Sequence, residues 1–183
     1  LNSNRQMDLL HKRFIVFELD NISENRTLLP VVTIIIMETF LAKMRRLQGV
    51  RKVLLLEEAW KAIAKEGMAS YVKYLYKTVR KYFGEAIVVT QEVEDIISSP
   101  IVKESIINNA DCKILLDQRK YRNKFDQIQT LLGLTDKERA QVLSINLSND
   151  PARRYKEVFI SLGGVQSAVY ATEVSDEEYL VRP

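Results

Sequence analysis

Val53-Leu54-Leu55-Leu56 is an unbroken apolar run that stops at two adjacent acids, Glu57 and Glu58. A strand with one face in water alternates apolar and polar residues. A run with no alternation is expected where both faces of a parallel strand are covered. Ala86 to Thr90 is a second such run, and Lys113 to Leu116 a further short strand expected to be buried. Between the first two, Met68, Tyr71, Val72, Leu75, Val79, Tyr82 and Phe83 recur at helical spacing up to Gly84, which is expected to end the helix. Strand, helix and strand in this order predict a right-handed β-α-β crossover and exclude an all-helical or all-β chain.

The same alternation extends in both directions. Arg13 to Asp20 (RFIVFELD) is expected to be a buried strand. A helix follows, with Thr27 as its cap, Pro30 in its first turn, apolar positions 34, 37, 40, 41, 44 and 47, and Gly49 at its end. Ser99 and Pro100 predict a helix start running to about Asn108. Two helices come after the Lys113 strand. The first ends near Gly133, and the second opens with a capping box in which Thr135 faces Glu138. Tyr155 to Ser161 and Val165 to Ala171 flank Gly163-Gly164, a two-residue hairpin turn that extends the sheet in antiparallel fashion. The predicted class is therefore α/β, a mostly parallel sheet with helices on both faces and a C-terminal antiparallel hairpin.

Composition removes several kinds of chemistry. The 183 residues suit one domain with a real core. The most apolar stretch, Val31 to Met37, is closely followed by Glu38 and Lys43 and is too short to span a bilayer. Cys112 is the only cysteine, so an internal disulfide and a paired-cysteine metal site are excluded within the chain, and His11 is the only histidine, which almost excludes a serine-histidine triad. The net charge of +3 is too mild to indicate a nucleic-acid partner without local clustering.

The glycines add one more exclusion. They stand at 49, 67, 84, 133, 163 and 164, and none precedes a lysine, so the chain has no G-x-x-x-x-G-K-[ST] phosphate loop. Glu57 and Glu58 nevertheless have the form of a Walker B strand end, which delivers carboxylates to the carboxyl edge of the sheet where open α/β folds bind ligands. The first acid can hold a magnesium ion through water, and the second can orient the attacking water toward the γ-phosphate. Gln91 ends the next strand at the same edge. Its amide can meet the γ-phosphate or that water without adding negative charge.

These motifs carry a resemblance. The run KVLLLEEAWKAIAKEGM, followed by LYKTVRKYFGEAIVVTQEVEDIISSPIVKESIINNADCKILLDQ, is similar to the TraG-type ATPases of conjugative transposons. That family lies among the type IV secretion ATPases, in the FtsK/HerA-like branch of RecA-like motors. The similarity runs from about Phe14 to Tyr179, with EEAW and VVTQ as its most specific parts. It implies a RecA-like P-loop NTPase three-layer sandwich, ATP and Mg2+ as cofactors, and a hexameric ring of identical subunits. It also implies conjugation-channel components at the inner membrane as partners, and a cytoplasmic location peripheral to that membrane. By motif, Glu57 stands at the magnesium-side acid, where the family pattern has Asp, Glu58 at the catalytic acid, and Gln91 at the sensor. Family order puts the Walker A loop upstream of residue 1. Residues 1–183 are thus expected to be the C-terminal part of the ATPase domain, inactive by themselves.

Other charged groups carry expectations of their own. Lys73, Lys77, Arg80 and Lys81 share one face of the helix between the two site strands, opposite its apolar stripe. A solvated surface is the plain reading. The sharper one makes Arg80, with its bidentate guanidinium, an arginine finger acting on a neighbouring subunit's nucleotide. Arg119, Lys120, Tyr121, Arg122 and Lys124 have a composition suited to single-stranded DNA, although a solvated helix start is the commoner use of such a run. Glu18 and Asp20 are read as solvated strand-end acids, Trp60 as packing for the next helix, and Asp176 to Glu178 as a short acidic turn.

Overall fold

A computed structural model describes residues 9–57, 66–91, 106–147 and 155–180. The chain divides into two compact units, Leu1–Asn109 and Ala110–Pro183.

In the first unit α1 spans Leu28–Arg46. Thr27 occupies its N-cap position without making the capping bond. Asn25 does that work instead, its Oδ1 accepting from the backbone N–H of Thr27 at 3.1 Å and of Leu28 at 2.9 Å. β1 (Lys52–Glu57) then pairs in parallel with β2 (Gly84–Val89), in a register that sets Lys52 beside Gly84 and Glu57 beside Val89. The crossover between them contains α2 (Glu66–Thr78), followed by a 3-10 turn over Val79–Tyr82.

The core of this unit lies between the helices and one face of the strands. Met37, Leu41 and Met44 of α1 pack with Leu75 of α2 and with Val79, against Leu54 and Ala86. Val72 and Ile106 form a second cluster against Leu56 and Val88. The other face behaves differently from expectation. Val53, Leu55, Ile87 and Val89 are exposed, so the parallel pair is covered on one side by the described residues and not on both.

Two sequence expectations need correction here. Residues 13–19 form no strand, and Phe14 is 85% exposed. A strand exists only through its ladder bonds, and no strand among the described residues pairs with this run. A 3-10 turn over Asp20–Ile22 follows it, with Glu18 accepting from the Asp20 N–H, so this acid serves its own turn. Gly84 does not end the crossover helix either. Phe83 takes the left-handed position at φ 54°, and Gly84 is already strand. Glycine is required at 84 for space: a Cβ there would lie 2.8 Å from Val79 Cγ2. The helix expected from Ser99 lies outside the described residues except for its end at 106–107.

In the second unit β3 (Cys112–Leu115), β4 (Tyr155–Leu162) and β5 (Gln166–Glu173) form one antiparallel sheet in that order. The hairpin therefore adds to β3 in antiparallel fashion, in a sheet distinct from the β1–β2 pair among the described residues. Its loop has three residues rather than two, because Leu162 pairs with Gln166 and Val165 stands out in solvent. Both glycines keep positive φ, at 57° and 69°. β3 is less buried than its apolar sequence suggested, with Ile114 exposed.

A 3-10 helix at Arg119–Lys124 leads into α3 (Phe125–Leu132), which closes on Gly133 at φ 64°. α4 (Asp136–Ser144) opens with the predicted capping box. Phe125, Ile128, Val142, Ile145 and Phe159 are the most buried apolar residues of this unit. The acids at 176–178 belong to the first turn of α5 (Asp176–Leu180), where Ser175 and Glu178 bond each other's backbone N–H.

Candidate functional site

The parallel pairing of β1 and β2 brings their carboxyl ends to a common edge. Along β1 the even residues Lys52, Leu54 and Leu56 turn toward the helices, while Val53, Leu55 and Glu57 turn away. Glu57 thus leaves the sheet at its last position with an exposed carboxylate, on the face that α1 and α2 do not occupy. Gln91 follows two residues after Val89, the register partner of Glu57, and is also exposed. Neighbouring strands lie about 4.8 Å apart and extended backbone advances about 3.3 Å per residue, which separates the two backbones by on the order of 8 Å. Both residues therefore lie at the carboxyl edge of the same strand pair.

A hydrated magnesium ion fits this donor set. Mg2+ prefers oxygen ligands, keeps several waters, and is commonly held through one or two carboxylates. An exposed carboxylate at a strand end, with an uncharged amide beside it, supplies that arrangement without burying charge. Glu58 and Trp60 lie outside the described residues.

The structure does not bring Arg80 to this edge. Lys52 N–H donates to the Phe83 carbonyl at 3.2 Å, so the turn carrying Arg80 sits at the amino end of β1. Six residues of strand, about 16 Å, separate that end from Glu57. Arg80 is exposed, as are Lys73, Lys77 and Lys81, in agreement with a solvent-facing cationic stripe.

The second cationic run is partly committed to internal contacts. Arg119 donates through Nε to the Asp117 carboxylate at 2.8 and 3.0 Å, and this bonding holds the Asp117 carboxyl below its ordinary range. The Lys120 ammonium lies 5.4 Å from the Tyr121 ring centroid, and that ring is half-buried. Among the described residues no group of three or more His, Cys, Asp or Glu side chains could hold a metal ion.

One positioning residue was missed in the sequence. Lys52 is only 8% exposed, and its ammonium donates to the carbonyls of Tyr82 at 2.7 Å and Met44 at 3.5 Å. It ties the last turns of the two helical segments to the start of β1 and so fixes the strand that ends in Glu57. The available signal was a single cation directly before an apolar run, which is indistinguishable from an ordinary solvated strand start.

Comparison with known proteins agrees with this geometry. Residues 1–182 match the family described as the TraG P-loop domain. Among solved structures, VirB4 of Thermoanaerobacter pseudethanolicus superposes with a TM-score of 0.61 at 23% identity, over 91% of this chain and 43% of that one. The chain therefore spans less than half the length of that relative, and the likeness establishes a shared fold. No curated protein matches the chain. A match that runs over nearly every residue, together with the parallel strand pair and its shared carboxyl edge, places this chain in the TraG P-loop domain family.

Proposed function

We propose that this chain is the acid and amide side of the nucleotide site in an ATP-hydrolysing motor of conjugation or type IV secretion. The observation that carries the reading is the β1–β2 edge, where Glu57 ends one parallel strand and Gln91 lies two residues beyond the end of the other. Bound Mg2+ would draw charge from the phosphate oxygens of ATP. Glu57 would hold a water of that ion, Glu58 would orient the attacking water and take its proton, and Gln91 would bond the γ-phosphate side of the site.

The chain itself carries no G-x-x-x-x-G-K-[ST] loop. The whole protein would then act as a ring, hexameric by family analogy, in contact with channel components on the cytoplasmic side of the inner membrane. No helix among the described residues is long and apolar enough to cross a membrane. Single-stranded DNA is a candidate cargo, with protein as the other. Arg80 stands too far from its own Glu57 to act there, so any catalytic part it has is toward a neighbour's nucleotide.

The test is turnover by the full-length protein. Glu58→Gln is expected to keep nucleotide binding while slowing hydrolysis by a factor on the order of 10² or more. Glu57→Gln is expected to shift the magnesium requirement. Arg80→Ala should lower turnover and recover part of it when mixed with Glu58→Gln subunits. Normal turnover in both glutamate variants would replace the catalytic reading with a non-catalytic assembly module that keeps the fold for subunit contacts.

A further inference from the structure

At the edge of the β1–β2 sheet opposite Glu57, two helical segments end side by side. Arg45 and Arg46 lie in the last turn of α1, Lys77 in the last turn of α2, and Arg80 and Lys81 in the 3-10 turn that follows. Arg51 lies just before β1 and pairs with Glu85. The ends are in contact: Arg45 donates to the Tyr74 hydroxyl at 3.4 Å, and Lys52 bridges the carbonyls of Met44 and Tyr82. All six of these cations are exposed.

Helix dipoles favour cations in last turns, which accounts for five of the six charges. They do not account for the apolar groups among them. Val50 is exposed, and Phe83 is 60% exposed on a backbone at φ 54°. That left-handed position after a helical turn is the usual place for glycine, and a non-glycine residue there is strained. The chain thus holds a phenyl ring out in solvent at a cost to local conformation. Lys52 N–H bonds the Phe83 carbonyl, which sets Phe83 beside the 50–52 segment.

We propose that this cationic rim, leaving out Arg80 whose proposed partner is a neighbouring subunit's nucleotide, and with Phe83 and Val50 at its tip, is a docking surface for an anionic lipid bilayer. Basic side chains are attracted to the negative surface potential of acidic headgroups, and an aromatic and an aliphatic side chain partition into the headgroup boundary. Phosphate of a nucleic-acid backbone would satisfy the cations equally, and a base could stack on Phe83. Val50 has no role in such a complex, whereas both apolar groups have one at a bilayer. The proposal rests on the membrane-side placement given above and names the face responsible for it.

Sedimentation of the full-length protein with vesicles tests it. Binding is expected with phosphatidylcholine vesicles containing phosphatidylglycerol, to fall as salt is raised, and to be absent with phosphatidylcholine alone. The Arg45→Ala/Arg46→Ala pair should weaken binding about 25-fold, at about fivefold per juxtamembrane cation. Lys77→Ala/Lys81→Ala provides an independent pair should the first fail to fold. Phe83→Gly should weaken vesicle binding while its thermal midpoint stays level or rises, a combination that a structural role for the ring does not produce.

Equal binding to uncharged vesicles, no binding, or unchanged affinity in these variants would overturn the proposal. So would tighter binding of a single-stranded oligonucleotide to the same residues, which would make the rim a nucleic-acid surface. ATP turnover separates this test from the motor reading. The lysine and phenylalanine variants should hydrolyse ATP normally without vesicles, and Glu58→Gln should bind vesicles normally without hydrolysing.

Discussion

Glu138 joins the start of α4 to the sheet of the second unit, and its removal gives a measurable stability change. It is 7% exposed. Its carboxylate accepts from the Thr135 backbone N–H at 2.9 Å, the Thr135 hydroxyl at 3.0 Å and the Ser161 hydroxyl of β4 at 3.1 Å. Burial, the largest single influence, pushes this carboxyl up. The bonds from Thr135, Ser161 and Ser167 together outweigh it and hold the group below its ordinary range. Glu138→Ala leaves the Thr135 hydroxyl as acceptor for the helix N–H at 138, so part of the cap survives. What is lost is a set of charge-assisted bonds worth about 2 kcal/mol in all after allowing for their non-additivity. Only the Ser161 hydroxyl is a buried donor left without its partner, while exposed Thr135 can turn to water. Glu138→Gln, which keeps a neutral acceptor, should cost about half as much.

Urea denaturation of the wild type and both variants across pH gives the assay. A carboxyl depressed in the folded state stabilises above its unfolded value of about 4.3 and loses that contribution as pH falls through the lower folded value. The gap between wild type and Glu138→Gln should therefore be full at neutral pH and shrink below about pH 4. A loss under about 0.5 kcal/mol for Glu138→Ala, or a gap indifferent to pH, would refute the account.

Two further outcomes follow from packing. Gly84→Ala would place a Cβ 2.8 Å from Val79 Cγ2 and 3.2 Å from the Val79 carbonyl, so it should cost about 1–3 kcal/mol. Adding Val79→Ala should relieve only the side-chain part of that clash, and full recovery would show that the carbonyl contact is inconsequential. Burial pushes the Tyr76 phenol up to about 12. Because it exceeds the unfolded value of about 10, its contribution to stability is complete below pH 10 and declines as pH rises toward 12. Ultraviolet titration of wild type against Tyr76→Phe should show one phenol ionising late, and early ionisation would contradict the burial.

The elements legible in the sequence were those whose signal is local. β1 and β2 followed from uninterrupted apolar runs, the α4 start from a side chain and its partner three residues on, and the end of α3 from a glycine at positive φ. The failures depend on what lies far along the chain. RFIVFELD has strand composition, but pairing is decided by a neighbour that composition does not name. Asn25 displaced Thr27 as the cap of α1 because both residues suit the role and only the path of the backbone selects between them. At the candidate site, Glu57 and Gln91 were readable because each follows directly from a strand end. The placement of Arg80 was not, since helical spacing fixes which face a residue occupies and not which end of the sheet its turn reaches.

The uneven dressing of β1 and β2 separates their residues into two classes of evolutionary constraint. Lys52, Leu54, Leu56, Ala86 and Val88 face helices of this same unit, so any replacement must keep a volume or a bond already set by α1, α2 and the turn after it. Val53, Leu55, Ile87 and Val89 answer to no such neighbour among the described residues. Their drift is limited only by strand propensity and by whatever the whole protein lays on that face. Alternate positions of one six-residue strand can therefore diverge at different rates, while Glu57, although it ends the uncovered series, is held by the magnesium role proposed for it and not by packing.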